Sequence, residues 1–191
     1  MHSESRGRGL SRPGPTVAAE VQAVVLNWRA PESTLRCVAS LEESLGARVD
    51  VLVVENGSGD GSAETLARQL DEDRILALAS NTGYAGGMNA GAERWRSLAG
   101  AAEFLLLVTQ DVTVAPDAVA RMLEVMREDE RIAAVGPSIY YRHEPDRLMN
   151  RGFVHRRSWA RTVPAPEPGG AEAVSVDSVD GCFLLLRRAA F

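Results

Sequence analysis

The sequence lacks lysine, long apolar runs and a surplus of positive charge. All 21 of its Lys and Arg positions are arginine, and a Walker A phosphate loop needs a lysine, so that class of nucleotide-binding protein is excluded. No segment reaches the roughly 18 consecutive apolar residues of a membrane span. Residues 1–15 lack the apolar stretch of a secretory signal, and the net charge of −5 offers no field for nucleic acid. We therefore expect a cytoplasmic protein that does not bind nucleic acid.

Cysteine is also scarce. Cys37 and Cys182 lie far apart in apolar-leaning segments and do not have the spacing of metal ligands. We expect two free, buried thiols in a reducing compartment rather than a disulfide or a metal site.

The 191 residues are 45% hydrophobic, which is enough for one domain or for part of a slightly larger one. Residues 1–18 are rich in Gly, Ser, Arg and Pro and are predicted to form a disordered tail before a domain at 19–191. Apolar runs then alternate with helical periodicity, which predicts an α/β fold with a mostly parallel sheet flanked by helices. Strands are predicted at 21–26, 49–54, 74–78, 104–111 and 132–137, with helices at 31–45, 63–70, 86–99 and from 116 onward.

The chain changes character after residue 137. Residues 140–168 are rich in arginine and proline, which predicts short antiparallel strands and a mobile loop, followed by closing strands at 173–176 and 181–187. The arginines either meet a lipid diphosphate or an anionic membrane face, or they are solvated loop residues balanced by nearby carboxylates. They are Arg142, Arg147, Arg151, Arg156, Arg157 and Arg161.

Polar residues follow four of the predicted parallel strands, so they meet at one edge of the sheet and predict a ligand cleft. Asp111 stands at the end of the most apolar strand, where it either binds a divalent cation or only caps a turn. A cation there would neutralise a diphosphate leaving group. The predicted helix start at Gly86 would offer amide groups to an anion. The glycine-rich residues 57–61 do not have the spacing of a dinucleotide-binding turn, and Asp60 would repel a pyrophosphate.

Four ordered motifs carry a family resemblance. They are VVLNWRAP at 24–31, VVENGSGDGS at 53–62, NTGYAGGMNAG at 81–91 and LVTQD at 107–111. Together they resemble the N-terminal half of a family 2 glycosyltransferase with the GT-A fold, closest to its rhamnosyltransferase-like branch, over residues 21–191.

The resemblance implies an inverting, metal-assisted glycosyltransferase that uses a nucleotide-diphosphate sugar, a glycan or lipid-linked acceptor, and Mg²⁺ or Mn²⁺. Its fold would be a Rossmann-like GT-A sheet with a small antiparallel extension near the C-terminal end. It also implies roles for individual residues. The donor-binding positions are Leu26, Asn27, Trp28, Glu55, Asn56, Asn89, Gln110 and Asp111, with Asp111 as metal ligand and with Asp180 and Gly181 facing the transferred sugar.

The sequence departs from the family pattern in three places. Thr109 stands where many relatives have a first carboxylate or Asn, and Glu55 replaces the commoner Asp. The chain also stops before the acidic segment that supplies the general base in relatives, so we expect a domain that is incomplete at its C-terminal end. Asp177, Asp180 and His155 are candidate replacements, although each also has a plainer role, Asp177 and Asp180 in a turn and His155 in a solvated loop. Two other functions therefore stay open, a catalytically incompetent nucleotide-sugar-binding fragment and a nucleotidyltransferase.

Overall fold

A six-stranded sheet in the order β3-β2-β1-β4-β10-β5 forms the centre of the computed structural model, which describes residues 19–98, 102–156, 161–165 and 173–190. The strands of the sheet are β1 Val21–Asn27, β2 Val49–Glu55, β3 Ile75–Ala77, β4 Phe104–Thr109, β5 Ala134–Val135 and β10 Phe183–Arg187. The helices are α1 Pro31–Glu42, α2 Ser62–Ala67, α3 Gly83–Ser97 and α4 Ala118–Glu128. Short 3₁₀ helices at Glu72–Arg74 and Arg188–Ala190 complete the regular structure of this layer.

The first four strands run parallel, and β10 enters antiparallel between β4 and β5. Because helices cover both faces, β1 and β4 carry continuous apolar runs rather than an alternating pattern. The α/β fold with a mostly parallel sheet is confirmed.

Two hydrophobic clusters cover the two faces. One face packs α1 and α4 through residues such as Val38, Leu41 and Leu123. The other packs α3 through Met88, Ala92 and Trp95, which recur at helical spacing. Pro31 at the first turn of α1 fixes the backbone angle that starts this helix.

Two antiparallel hairpins follow β5 and form the expected small extension. One pairs β6 Ile139–Tyr141 with β7 Glu144–Asn150, and the other pairs β8 Phe153–Arg156 with β9 Arg161–Pro164. Residues 1–18, predicted as a disordered tail, and most of the predicted mobile loop at 157–160 and 166–172 lie outside the described residues.

Several predicted element boundaries are wrong. β4 ends at Thr109, so Asp111 lies in the following turn, and α3 begins at Gly83 rather than Gly86. Residues 173–176 form no strand. The pairing nearest to them is a single antiparallel bridge between Ser178 and Phe153. The strand predicted at 132–137 shrinks to β5, which bonds to two residues of β10.

Within the described residues, no helix combines the length and the apolar character needed to cross a bilayer.

Candidate functional site

The ends of β1 and β2 are joined by a buried polar network. The Glu55 carboxylate accepts hydrogen bonds from the backbone N–H groups of Gly57, at 3.1 Å, and Ser58, at 2.9 Å. The Asn27 amide donates to Glu55 at 3.5 Å, and its oxygen accepts the Thr34 hydroxyl of α1 at 2.7 Å. Glu55 and Asn27 are at most 3% exposed, so the carboxylate sets the shape of the loop after β2.

Asn56 does the same for the loop that leads into α3. Its amide nitrogen donates to the Asn81 side chain at 3.2 Å and to the Gly83 carbonyl at 3.1 Å. Its oxygen accepts both the backbone N–H and the hydroxyl of Thr82 at 3.0 Å. The buried Asn56 side chain therefore fixes the start of α3, where the side-chain oxygens of Asn56 and Asn81 accept the backbone N–H groups of Thr82 and Gly83.

Gly57 allows these two loops to touch. It has a positive φ of +62°, and a Cβ at this position would lie 2.3 Å from the backbone carbon of Ser80. Only glycine fits that approach, because the obstacle is backbone rather than a side chain that can turn away.

Gln110 and Trp28 extend the pairing of β1 and β4 beyond the last residues of the strands. The backbone N–H of Trp28 donates to the Gln110 side-chain oxygen at 2.6 Å, and the Gln110 amide donates back to the Trp28 carbonyl at 3.1 Å. The peptide groups of Trp28 are thus occupied, whereas its indole is 45% exposed and stacked with Arg29 at 5.1 Å. The surface that Trp28 offers to a ligand is its ring.

Asp111 is exposed in the turn after β4 and is held from two sides. Its carboxylate accepts the Thr109 hydroxyl at 2.7 Å, and its backbone carbonyl accepts a guanidinium N–H of Arg142 at 2.6 Å. The Thr109 hydroxyl therefore orients the Asp111 carboxylate. One carboxylate oxygen of Asp111 stays available to a ligand.

The turn before β10 approaches α3 near the same strand ends. The exposed Tyr84 hydroxyl donates to the Gly181 carbonyl, and burial raises the Tyr84 pKa, with smaller contributions from Cys182 and Asp180. The Asp180 carboxylate accepts the Cys182 backbone N–H at 2.9 Å and the Asn150 amide at 2.6 Å. The structure thus places Asp180 and Gly181 beside the first turn of α3. The Asp180 carboxylate stabilises the turn before β10.

Sequence reasoning did not single out Tyr84 and Asn150 as site residues. Tyr84 lies within the glycine-rich 81–91 motif, where an aromatic side chain among glycines is a signal that could have identified it. Asn150 offered no such signal, because its partner Asp180 is distant along the chain.

The two other base candidates lie in the hairpin region. The backbone N–H of His155 in β8 donates to the Asp177 carboxylate at 2.6 Å, so Asp177 holds its own segment against β8. Asn89 is exposed on the second turn of α3, one to two turns beyond the loop that Asn56 fixes.

Both cysteines are free thiols, as predicted, but only Cys37 is buried as expected, whereas Cys182 is half-buried because it lies in the turn before β10. Burial, more than the nearby Asp111 charge, raises the Cys37 pKa to about 12, and Arg142 opposes this shift. Burial also raises the Cys182 pKa to about 12, helped by hydrogen bonding to Asp180 and by the charges of Asp180 and Asp111. Both thiols therefore stay protonated and unreactive at neutral pH.

The donor set for a metal is limited. Within the described residues, no group of three or more His, Cys, Asp or Glu side chains is arranged to hold a metal ion. Asp111 offers an exposed carboxylate just after β4, which suits a cation that takes most of its ligands from water and phosphate oxygens.

Comparison with known proteins gives a family match over most of the chain. The sequence model described as "Glycosyl transferase family 2" matches residues 23–191. An N-acetylglucosaminyl-diphospho-decaprenol L-rhamnosyltransferase of Mycobacterium tuberculosis is 28% identical over 73% of this chain and 44% of its own length. The succinoglycan biosynthesis protein ExoO of Rhizobium meliloti is 28% identical over 60% of this chain and 32% of its own. The chain thus spans less than half the length of these relatives.

Solved structures share the fold. The mannosyltransferase PcManGT of Pyrobaculum calidifontis, in complex with GDP-Man and Mn²⁺, has a TM-score of 0.52 at 19% identity and matches 71% of this chain and 40% of its own. Residues 1–349 of S. aureus TarS, in complex with UDP, have a TM-score of 0.57 at 14% identity and match 86% of this chain and 46% of that one. The arrangement of sheet and helices is thus shared with GT-A glycosyltransferases.

Proposed function

The chain belongs to glycosyl transferase family 2, and we propose that it forms the donor-binding part of an enzyme that transfers a sugar from a nucleoside-diphosphate donor. One observation carries this proposal beyond family membership. Asp111 presents an exposed, oriented carboxylate at the end of the central strand, beside loops that a buried polar network holds in place.

We infer that rhamnose is the transferred sugar and that a lipid-linked saccharide is the acceptor. The Mycobacterium tuberculosis relative, named as a rhamnosyltransferase acting on such a lipid-linked substrate, supports this assignment. A lipid-linked acceptor would bring a cytoplasmic enzyme into peripheral contact with the inner face of the membrane.

Mg²⁺ or Mn²⁺ is the proposed cofactor, with Asp111 as its protein ligand. A divalent cation at a diphosphate neutralises the charge that develops on the leaving group. Thr109 contributes by turning the Asp111 carboxylate toward solvent. The PcManGT complex, which contains GDP-Man and Mn²⁺, supports a metal-assisted donor site in this fold.

The predicted nucleotide residues act in two ways in this proposal. Glu55, Asn27 and Asn56 are buried, so they shape the loops whose backbone meets the base and ribose. The exposed Trp28 ring and Asn89 are the side chains that would contact the nucleotide directly, and Gln110 would hold Trp28 in place.

We propose that Asp180 and Gly181 line the sugar pocket together with Tyr84. The two carboxylate oxygens of Asp180 accept hydrogen bonds from the N–H groups of Cys182 and Asn150, which favours a positioning role over that of general base. No general base is assigned, and nucleotide-sugar binding without transfer is therefore the second candidate function.

Calorimetric titration of UDP, GDP and dTDP, each with Mn²⁺ and with EDTA, tests the donor site. We expect one of these nucleotides to bind more tightly with Mn²⁺. Asp111→Asn should lose about tenfold of the Mn²⁺-dependent affinity, equal to about 1.4 kcal/mol, because a carboxamide is a poor ligand for a hard cation.

Asp117→Asn is the matched control, since Asp117 is exposed in the same segment and pairs with Arg121. Undiminished Mn²⁺ dependence in Asp111→Asn would remove the metal role. Failure of the unmodified chain to bind any of the three nucleotides would contradict the donor site itself.

A further inference from the structure

Arg142 reaches the donor edge of the sheet from a different part of the chain. It sits in the two-residue turn of the first hairpin, between β6 and β7, where the short connection limits its movement. From there its guanidinium donates to the backbone carbonyl of Asp111.

This contact leaves the charge of Arg142 uncompensated. The guanidinium bonds to the carbonyl and not to the carboxylate of Asp111, and it forms no ion pair with any carboxylate of the described residues. Arg147 on the same hairpin differs, because it pairs with Glu144 at 3.1 Å and covers the Tyr141 ring.

The planar guanidinium has five N–H donors arranged along more than one edge. One N–H is committed to the Asp111 carbonyl at 2.6 Å, so the rest of the fork remains available beside the Asp111 turn. The two charges also have opposite effects on the Cys37 thiol, because Asp111 raises the Cys37 pKa and Arg142 lowers it.

The charge balance of the site leaves room for a second cation. A divalent ion bound by the single carboxylate of Asp111 would keep one net positive charge, whereas the diphosphate carries at least two negative charges, so part of the negative charge would stay unbalanced. A cationic side chain placed beside such an anion stabilises it through a charge-assisted hydrogen bond.

We propose that Arg142 is a phosphate-binding residue, which holds the Asp111 turn with one edge of its guanidinium and the donor diphosphate with the other. This rests on the proposed function and extends it to a residue of the hairpin region. The hairpin thereby contributes to leaving-group stabilisation even in the absence of the metal.

Titration with inorganic pyrophosphate tests this proposal, because pyrophosphate presents the same phosphate chemistry without base or sugar. The titrations compare the unmodified chain, Arg142→Gln and the control Arg147→Gln, each with Mn²⁺ and with EDTA. We expect Arg142→Gln to weaken pyrophosphate binding about tenfold in both conditions and to flatten its salt dependence. Arg147→Gln should change the affinity less than about twofold.

Arg142→Lys separates the effect of the positive charge from that of the guanidinium geometry. Lysine keeps the charge without the fork, so its affinity should fall between those of the unmodified chain and Arg142→Gln. Thermal unfolding of each variant measures any structural effect separately.

The proposal is overturned if Arg142→Gln binds pyrophosphate as Arg147→Gln does, with the same salt dependence, whatever its melting temperature. It is also overturned if the Arg142→Gln effect vanishes in EDTA. If the unmodified chain binds neither pyrophosphate nor a nucleoside diphosphate, the proposed function fails instead.

Discussion

The sheet edge and the hairpin region use polar residues in opposite ways. At the edge, Asn27, Glu55 and Asn56 are buried, and they bond to backbone groups, to one another and to short polar side chains of the adjoining loops and helix. On the first hairpin, Arg147 and Tyr141 are exposed, and their contacts involve long side chains at the surface. The first kind of contact is costly to break, and the second kind is worth little.

This difference indicates which part of the site is built before a ligand arrives. The loops after β1, β2 and β3 cannot relax without leaving buried polar groups unpaired, so they form a fixed edge. The first hairpin touches the strand ends through Arg142–Asp111, and the turn before β10 touches α3 through Tyr84–Gly181. We infer a rigid nucleotide side and a more adjustable sugar and acceptor side.

The largest expected effect comes from adding a methyl group where two loops of the fixed edge touch. Gly57→Ala should lower the free energy of unfolding by about 4 kcal/mol, because the methyl group meets the Ser80 backbone and the residue keeps a left-handed conformation. Urea unfolding followed by circular dichroism measures the change.

Gly59→Ala provides the matched control for that substitution. Gly59 has a similar φ of +65° but nothing within 4 Å of the added Cβ, so about 1 kcal/mol should be lost. Equal losses for the two variants would show that the close approach at Gly57 is not what stabilises the edge.

A smaller effect is expected from removing the charge within the network. Glu55→Gln should cost about 2 kcal/mol, because an NH₂ group would face one of the two backbone N–H donors of Gly57 and Ser58. Glu124→Gln, on the exposed side of α4, should cost less than about 0.5 kcal/mol in the same urea titration. A neutral outcome for Glu55→Gln would mean that the carboxylate does not hold the loop.

Much of the fold could be predicted because parallel strands covered on both faces need continuous apolar runs. β1, β2 and β4 carry such runs, and α4 shows helical spacing that matches its buried face. The structures of β5 and of residues 173–176 were harder to predict, because the conformation of a very short segment depends on partners distant in sequence. β5 exists only where β10 pairs with it.

The meeting of the polar strand ends at one edge was predictable, whereas the directions of their side chains were less so. Convergence of polar residues follows from parallel strands ending at one edge, and the contact of Trp28 with Gln110 confirms it. The Glu55 side chain turns inward because it accepts hydrogen bonds from the N–H groups of its own loop. Which N–H groups need such a partner depends on the folded backbone and cannot be read from the sequence. Arg142 could be grouped with other arginines, but its contact with Asp111 joins residues that no local pattern connects.

The two thiols make the stability of the chain depend on pH in the alkaline range. Unfolded thiols ionise near the ordinary pKa of 9.0, whereas Cys37 and Cys182 stay protonated in the folded chain up to about 12. The unfolded state therefore binds fewer protons between those values, and the free energy of unfolding should fall as pH rises from 9 toward 12. Urea midpoints across this range measure the decline.

Alkylation by iodoacetamide then compares the two cysteines within the folded chain. Cys182 precedes β10 beside the hairpin region and should react before Cys37, which is fully buried beneath the sheet. Equal alkylation rates would contradict the inference that the sugar and acceptor side is the more adjustable one.

The place of β10 in the sheet has a consequence for synthesis on the ribosome. Val108 of β4 pairs with Phe183 of β10, so both hairpins are translated before the open side of the central strand finds its neighbour. A contact so distant along the chain forms slowly, because closing a long loop costs entropy before any pairing energy is gained. Until then β4 exposes an apolar edge to other nascent chains, and the arrival of β10 both completes the sheet and ends that risk of aggregation.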